Sequence, residues 1–284
     1  MSLLGVTGAT GHLGRLTVEA LLANGVSPSD IVAIVRDPAR ATDLSDRGVQ
    51  VRRGDYSDAE SLAEAVTGIE NLLLVSGNEM GQRVSQHAAV IDAAKTAGVT
   101  RVVYTSAPKA EDTQLILAPE HLATEELLKA SGLKYTILRN NWYFENYLGQ
   151  LAQYLQYGVI LNATDGHHVA AAARADYAAA AAVVLTGEGH DNKTYELAGH
   201  GFTMAELAAK ITEITGTTVV AKEVSPAELI AALEGAGLDN GTATFVTALD
   251  ESAARDELDG DPAELIALLG RELTPLADAI RAAQ

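Results

Sequence analysis

Cysteine is absent from the chain, which excludes disulfides, thiolate metal sites and a cysteine nucleophile. Aromatic residues are scarce at 5%, so any local concentration of them stands out. Basic side chains are few: Lys and Arg number 20 against 38 Asp and Glu, a formal net charge of −18. No local basic patch offsets that balance, which disfavours nucleic acid and anionic membrane surfaces as partners. No apolar run approaches the roughly 18–20 residues that a membrane span needs. No basic region with a small-residue cleavage site precedes the first strand-like run, so the expectation is a cytoplasmic protein.

What is present is enough apolar material for a full core: 48% of the 284 residues are hydrophobic. Disorder as the main theme is excluded. Strand-like runs at 3–7, 31–35, 49–52, 72–75, 101–105 and 135–138 are separated by helix-like stretches at 13–23, 39–46, 59–66, 82–97 and 120–130. Most of these runs are continuously apolar, which marks strands buried on both faces. The expected fold is α/β, a Rossmann-type doubly wound parallel sheet. Further on, 142–155 reads as helix, 158–161 and 169–170 as short strands, 175–185 as an alanine-rich helix and 193–197 as a seventh strand. From Thr203 the chain is mostly helical, with helix starts after Thr203, Ser225 and Asp261 and one strand at 217–220. The expected division is an NAD(P)-binding Rossmann part over 1–155, completed by a strand near 193–198. A smaller, mostly helical substrate-binding part follows over 156–284.

Thr7-Gly8-Ala9-Thr10-Gly11-His12-Leu13-Gly14 lies between the first strand and the first helix. Gly8 permits a tight turn, Gly11 lets the backbone approach a pyrophosphate, and Gly14 allows close helix–sheet packing. The helix N-terminus then presents free N–H groups to the phosphates. The second strand ends at Val35-Arg36-Asp37, with Arg40 shortly after. Arg36 suits a ribose 2′-phosphate and Asp37 is expected to point away, so NADP(H) is read over NAD(H). Asp55, in Gly54-Asp55-Tyr56, is placed for an adenine-edge contact. Val75-Ser76-Gly77 should pass under the nicotinamide ribose, because ligands sit at the carboxyl ends of such strands.

Together TGATGHLG, IVAIVRDP, GDYSD, APEHLATEELL, YTILRNNWYFENYL and ARADYAAAAA resemble the NmrA-like group of atypical short-chain dehydrogenase/reductases over nearly the whole chain. The likeness is greatest to bacterial NAD(P)H:quinone oxidoreductases of type 2, with triphenylmethane reductases next. It implies a Rossmann domain, a small C-terminal domain and NADPH between them. It also implies that Gly8, Ala9, Thr10, Gly11, His12, Leu13 and Arg36 hold the cofactor phosphates. Around the nicotinamide end it places Ser76, Gly77 and Asn78, then the run Asn140, Asn141, Trp142, Tyr143, Phe144 and Glu145, and finally 171–173 with Arg174.

Most short-chain reductases use a Tyr-x-x-x-Lys pair to protonate a carbonyl oxygen, but no tyrosine here has Lys four residues on. His121 is the candidate proton donor in its place, with a structural alternative as a residue that caps or packs. Hydride transfer to a quinone needs no dedicated acid, since solvent can protonate the product. The protein then has to position the nicotinamide against a flat acceptor. Trp142, Tyr143, Phe144 and Tyr147 are dense for so aromatic-poor a chain: Tyr143 is read as a wall for a planar substrate, Trp142 as core. His167-His168 lacks a third ligand, so no metal is expected. The stretch 250–261 reads as a solvated acidic surface. Tyr104 is expected to be buried, Ser106 could touch substrate, and Lys109 is a candidate acceptor-orienting cation.

The resulting expectation is an NADPH-dependent reductase of a quinone or similar planar acceptor. Alternatives are a reductase of triarylmethane dyes or of an aromatic natural-product intermediate, and a non-catalytic dinucleotide-binding redox sensor. Alanine-rich helical surfaces leave room for a homodimer.

Overall fold

Valine, isoleucine and leucine runs form the central strands because both faces of each are covered. A computed structural model of the chain describes residues 3–284; Met1 and Ser2, at the start of the expected cofactor-binding part, lie outside the described residues. The elements in the first half are β1 (Leu3–Thr7), α1 (His12–Ala23), β2 (Ile31–Val35), α2 (Thr42–Asp46), β3 (Gln50–Arg53), α3 (Ala59–Ala65), β4 (Ile69–Leu74), α4 (Arg83–Ala97), β5 (Arg101–Ser106), α5 (Ala118–Ala130) and β6 (Lys134–Asn140). The second half comprises α6 (Phe144–Leu148), α7 (Leu151–Tyr157), β7 (Val159–Asn162), α8 (Arg174–Thr186), β8 (Lys193–Leu197), α9 (Met204–Thr215), β9 (Val220–Glu223), α10 (Pro226–Gly235), α11 (Asn240–Ala253), α12 (Ala263–Leu269) and α13 (Leu276–Ala282).

Seven strands form one parallel sheet in the order β3-β2-β1-β4-β5-β6-β8. The order reverses direction between β1 and β4, the switch point where doubly wound sheets open a crevice for ligands. One face of the sheet buries Val6, Val103 and Leu138 against α1 and α8. The alanines of α8, among them Ala178, Ala181 and Ala182, are fully buried there and let two helices approach closely. The other face buries Ile34, Leu72 and Val102 against α3, α4 and α5 through Leu62, Val90 and Leu128. A separate core of Phe144, Ile160, Phe202, Leu207 and Ile211 is built mostly from chain that follows β6, with Leu115 and Ala118 joining it from before that strand. Thus α8, β8 and α12 come from beyond residue 156 yet pack in the sheet layer. Among the described residues no helix is long and apolar enough to cross a membrane.

Four expectations need correction. The helix expected over 142–155 is two short ones, because Gly149 N–H closes α6 on Glu145 O and a second turn starts at Leu151. The strand expected at 169–170 is a single bridge from Val169 to Phe202. The strand expected at 217–220 lies at β9, since the Thr212 hydroxyl takes both backbone groups of Val219; β9 then pairs in parallel with β7. The stretch 250–261 is not simply a solvated surface. Asp250 sits on α11, accepts the Ala163 N–H at 2.9 Å, and burial raises its carboxyl to about 6.

That burial sets a pH dependence. A folded-state value above the unfolded one means the native protein binds this proton more tightly, so stability falls as pH rises through the interval from about 4 to 6. Asp250→Asn keeps an acceptor for Ala163 and removes the buried charge. It is expected to gain up to about 3 kcal/mol at pH 8 and nothing at pH 4, read from urea midpoints at the two pH values.

Candidate functional site

At the carboxyl ends of β1 to β4 the loops enclose a cleft of about 560 Å³, in the size class of small-molecule sites. Its floor is the turn from Thr7 to Gly14. Gly8 adopts a left-handed φ of 59°, Gly11 N–H bonds Gly8 O at 2.8 Å, and α1 leaves the turn without any side-chain cap or acidic residue in its first turn. Its first amides are therefore free of side-chain competition and carry the positive end of the helix dipole. Gly8, Thr10, Gly11, His12 and Leu13 line the cleft; Ala9 is fully buried behind them, its N–H on Ile34 O. Uncapped amides and a glycine turn with no side chain in the way fit a pyrophosphate.

The neighbouring wall carries two cations, Arg36 and Arg40. Asp37 turns away and accepts Ala39 N–H at 3.0 Å, as the sequence implied. Asp55 lines the cleft with its Oδ1 on Ser57 N–H. Tyr56, beside it, spans the floor: its hydroxyl meets Thr7 Oγ1 and donates to Val75 O. Burial pushes that phenol up.

Ser76, Gly77 and Asn78 line the far wall and are wired from behind. Ser76 N–H donates to Thr105 Oγ1 at 2.9 Å. Gly77 N–H donates to His87 Nε2 at 2.9 Å, and Gly77 O accepts from Arg83 Nε at 2.7 Å. Because Nε2 must accept, the His87 ring is neutral with its proton on Nδ1, toward Thr124 Oγ1. Burial lowers its pKa to about 3, which holds the same state at neutral pH. Arg83, Gln86 and His87 escaped the sequence reading. The available signal was three polar residues at helical spacing on the buried face of α4.

Of the run 140–145, Tyr143 alone lines the cleft. Its ring meets Tyr177 edge-on at 5.2 Å, and the Arg174 guanidinium stacks 4.8 Å from its centroid. Burial raises the Tyr143 phenol above its ordinary value, so it keeps its proton at neutral pH. Asn140 is buried at the end of β6, behind the cleft, with neither amide atom at hydrogen-bond geometry to a partner. The others serve the scaffold. Asn141 donates to Leu258 O and caps Trp142 N–H; Trp142 and Phe144 pack in the second core; and Glu145 accepts the N–H of Arg174 at the start of α8.

His121 does not reach the cleft. It points beneath β5, buried, with Nδ1 2.8 Å from the Tyr104 hydroxyl. Burial, and then the nearby Arg83 charge, lower its pKa to about 3, so at neutral pH it is a neutral imidazole and not the acidic imidazolium that a proton donor needs. Ser106 is committed to Glu125, and Lys109 Nζ to Asp256 O; neither lines the cleft.

Fold and cleft together define a dinucleotide-binding α/β protein of the doubly wound kind. The family model described as NAD(P)H-binding matches residues 8–188, and the chain belongs to that family. Quinone oxidoreductase 2 of Escherichia coli K12 is 44% identical over 279 residues, 98% of this chain and 97% of its own. The crystal structure of an NADPH-dependent quinone oxidoreductase from Escherichia coli with NADPH superposes with a TM-score of 0.95 at 44% identity, covering 99% of each chain. That of Citrobacter sp. triphenylmethane reductase with NADP(H) gives 0.94 at 38%, covering 99% of this chain and 100% of that one. The likeness first drawn from the glycine turn and the later motifs holds.

Proposed function

We propose that this chain is an NADPH-dependent reductase that delivers hydride to a quinone or similar planar electrophile. The observation that carries the reading is the polarity of the cleft: a glycine turn and two arginines at one end, and the Tyr143 ring, stacked on Arg174, at the other. The relatives that bind NADPH and reduce quinones or triphenylmethane dyes support it. Residues 1–155 with the strand at 193–197 then serve as the cofactor-binding part, and 156–284 supplies the rest of the substrate side.

Gly8 to Leu13 hold the pyrophosphate, Arg36 with Arg40 the 2′-phosphate, and Asp55 the adenine edge. Ser76 to Asn78 lie under the nicotinamide ribose, their backbone fixed by Thr105 and His87. The bound nicotinamide supplies the hydride. Tyr143, held flat by Arg174 on one side and Tyr177 at its edge, excludes water and offers a planar acceptor a surface. Hydride addition and one proton from solvent convert quinone to hydroquinone, so no buried acid is required and His121 is left to the scaffold.

The test is NADPH and NADH consumption by pure protein without added flavin, against a panel of quinones and one triarylmethane dye. Fast NADPH oxidation that depends on quinone is expected; tight cofactor binding with no turnover across the panel would replace the reductase by a redox sensor. Arg36→Ala is expected to weaken NADPH by about 1 kcal/mol, the low end for a charge-assisted contact because the side chain is largely exposed. NADH binding should stay nearly unchanged, and equal losses would remove the 2′-phosphate assignment.

A further inference from the structure

Arg36 does not stand free in the cleft. Its Nη1 lies 3.2 Å from Glu79 Oε1, although the two residues belong to opposite walls, one after β2 and the other after β4. Glu79 is held in that position: its Oε2 accepts from Gln86 Nε2 at 2.8 Å, and Gln86 is itself buried and reaches the Ser57 hydroxyl at 3.2 Å. A carboxylate thus occupies the guanidinium that a 2′-phosphate would use, and a buried glutamine from α4 orients it. The cleft is otherwise short of anions on this side; Asp55 is turned to its own Ser57 N–H.

We propose that Glu79 is a specificity-determining residue that competes with the cofactor's 2′-phosphate for Arg36. This rests on the NADPH reading above. NADPH must break the Arg36–Glu79 pair to gain its phosphate contact, whereas NADH leaves the pair intact. Glu79 therefore lowers the preference for NADPH over NADH that Arg36 alone would confer. The pair is solvent-exposed on both sides, 68% and 42% for the two side chains, so it is weak and screened by salt. It acts as a competitor for one guanidinium, not as a closed gate.

The experiment is a double-mutant cycle read as dissociation constants for NADPH and NADH: wild type, Glu79→Gln, Arg36→Ala and the double variant, at low and high salt. Glutamine keeps the size of the side chain and its contact with Gln86. Glu79→Gln is expected to tighten NADPH about three- to fivefold at low salt, to change NADH far less, and to do nothing for NADPH once Arg36 is alanine. The gain should shrink as salt rises. A gain equal for both cofactors, or one that persists without Arg36, would mean that Glu79 acts only as a like charge at the mouth and would overturn the proposal. No gain, or weaker NADPH binding, overturns it as well. Failure of the underlying reading looks different: wild type would then bind NADPH no better than NADH and Arg36→Ala would be silent for both, and the competition would fall with it.

Discussion

Gly14→Val is expected to abolish cofactor binding while the protein still folds. A side chain at position 14 would collide with the carbonyl oxygen of Gly8 and crowd the carbonyl of Thr7, both backbone atoms of the turn itself. Neither can step aside without opening the turn or lifting α1 off the sheet. The amides between Gly8 and Leu13 would then lose their common focus. At about 1.5–3 kcal/mol for each charge-assisted amide contact, losing two weakens NADPH on the order of a hundredfold or more. At Gly11 a side chain meets Gly8 O at 3.2 Å rather than colliding, so Gly11→Ala should disturb the turn less than Gly14→Ala and weaken NADPH chiefly by standing where the pyrophosphate approaches. Calorimetric titration with NADPH, alongside circular dichroism to verify the fold, reads both. Normal NADPH affinity in a folded Gly14→Val protein would show that this turn is not the phosphate site.

Arg139→Met is expected to produce the largest loss of stability. Arg139 leaves β6 toward α5 and forks onto Glu125, Nε to Oε1 at 2.9 Å and Nη2 to Oε2 at 2.7 Å. Glu125 is wholly buried and its Oε1 also takes the Ser106 hydroxyl at 2.7 Å, while Arg139 extends a second arm to Glu196 on β8. The carboxylate beside it raises the guanidinium further above its ordinary value. Removing the arginine alone leaves that carboxylate in the core with the Ser106 hydroxyl and a long 3.4 Å contact from Lys129, which costs about 3 kcal/mol, the low end for a broken buried pair. Arg139→Met with Glu125→Leu removes both charges and should recover most of that loss, because an apolar pair of similar volume is often neutral or better. Urea unfolding of the two variants measures it; a single variant as stable as wild type would mean that Lys129 serves as a full counter-ion for Glu125.

Much of this was legible in the chain. The inner strands β1, β2, β4, β5 and β6 follow from apolar runs too short for helices and too continuous for half-exposed strands, whereas the edge strands β3 and β8 are mostly polar; the glycine spacing after β1 follows from a turn that must bring backbone close to phosphate. Position in sequence also placed Arg36, since a strand end is a fixed point relative to the crevice. His121 shows where such reading stops. It lies on α5 near the carboxyl end of the sheet, and only its rotation about the helix axis, set by packing against Tyr104, turns it under β5 and away from the cleft. Asn141, Trp142, Phe144 and Glu145 illustrate the same limit: within one six-residue run, Tyr143 alone faces the crevice, because a strand end passing into a short helix changes side-chain direction at each residue.

The sequence by itself determined the class of fold, the phosphate-binding turn and the cation beside it, because each depends on residues adjacent in the chain or at a fixed spacing along one element. The tertiary structure alone decided which polar groups meet across the cleft. Arg36 and Glu79, Gly77 and His87, Arg174 and Tyr143 stand on separate elements, and no local propensity links them. They come together because the strand order turns at β1 and β4, and because helices packed on both faces fix which side of each loop looks into the gap.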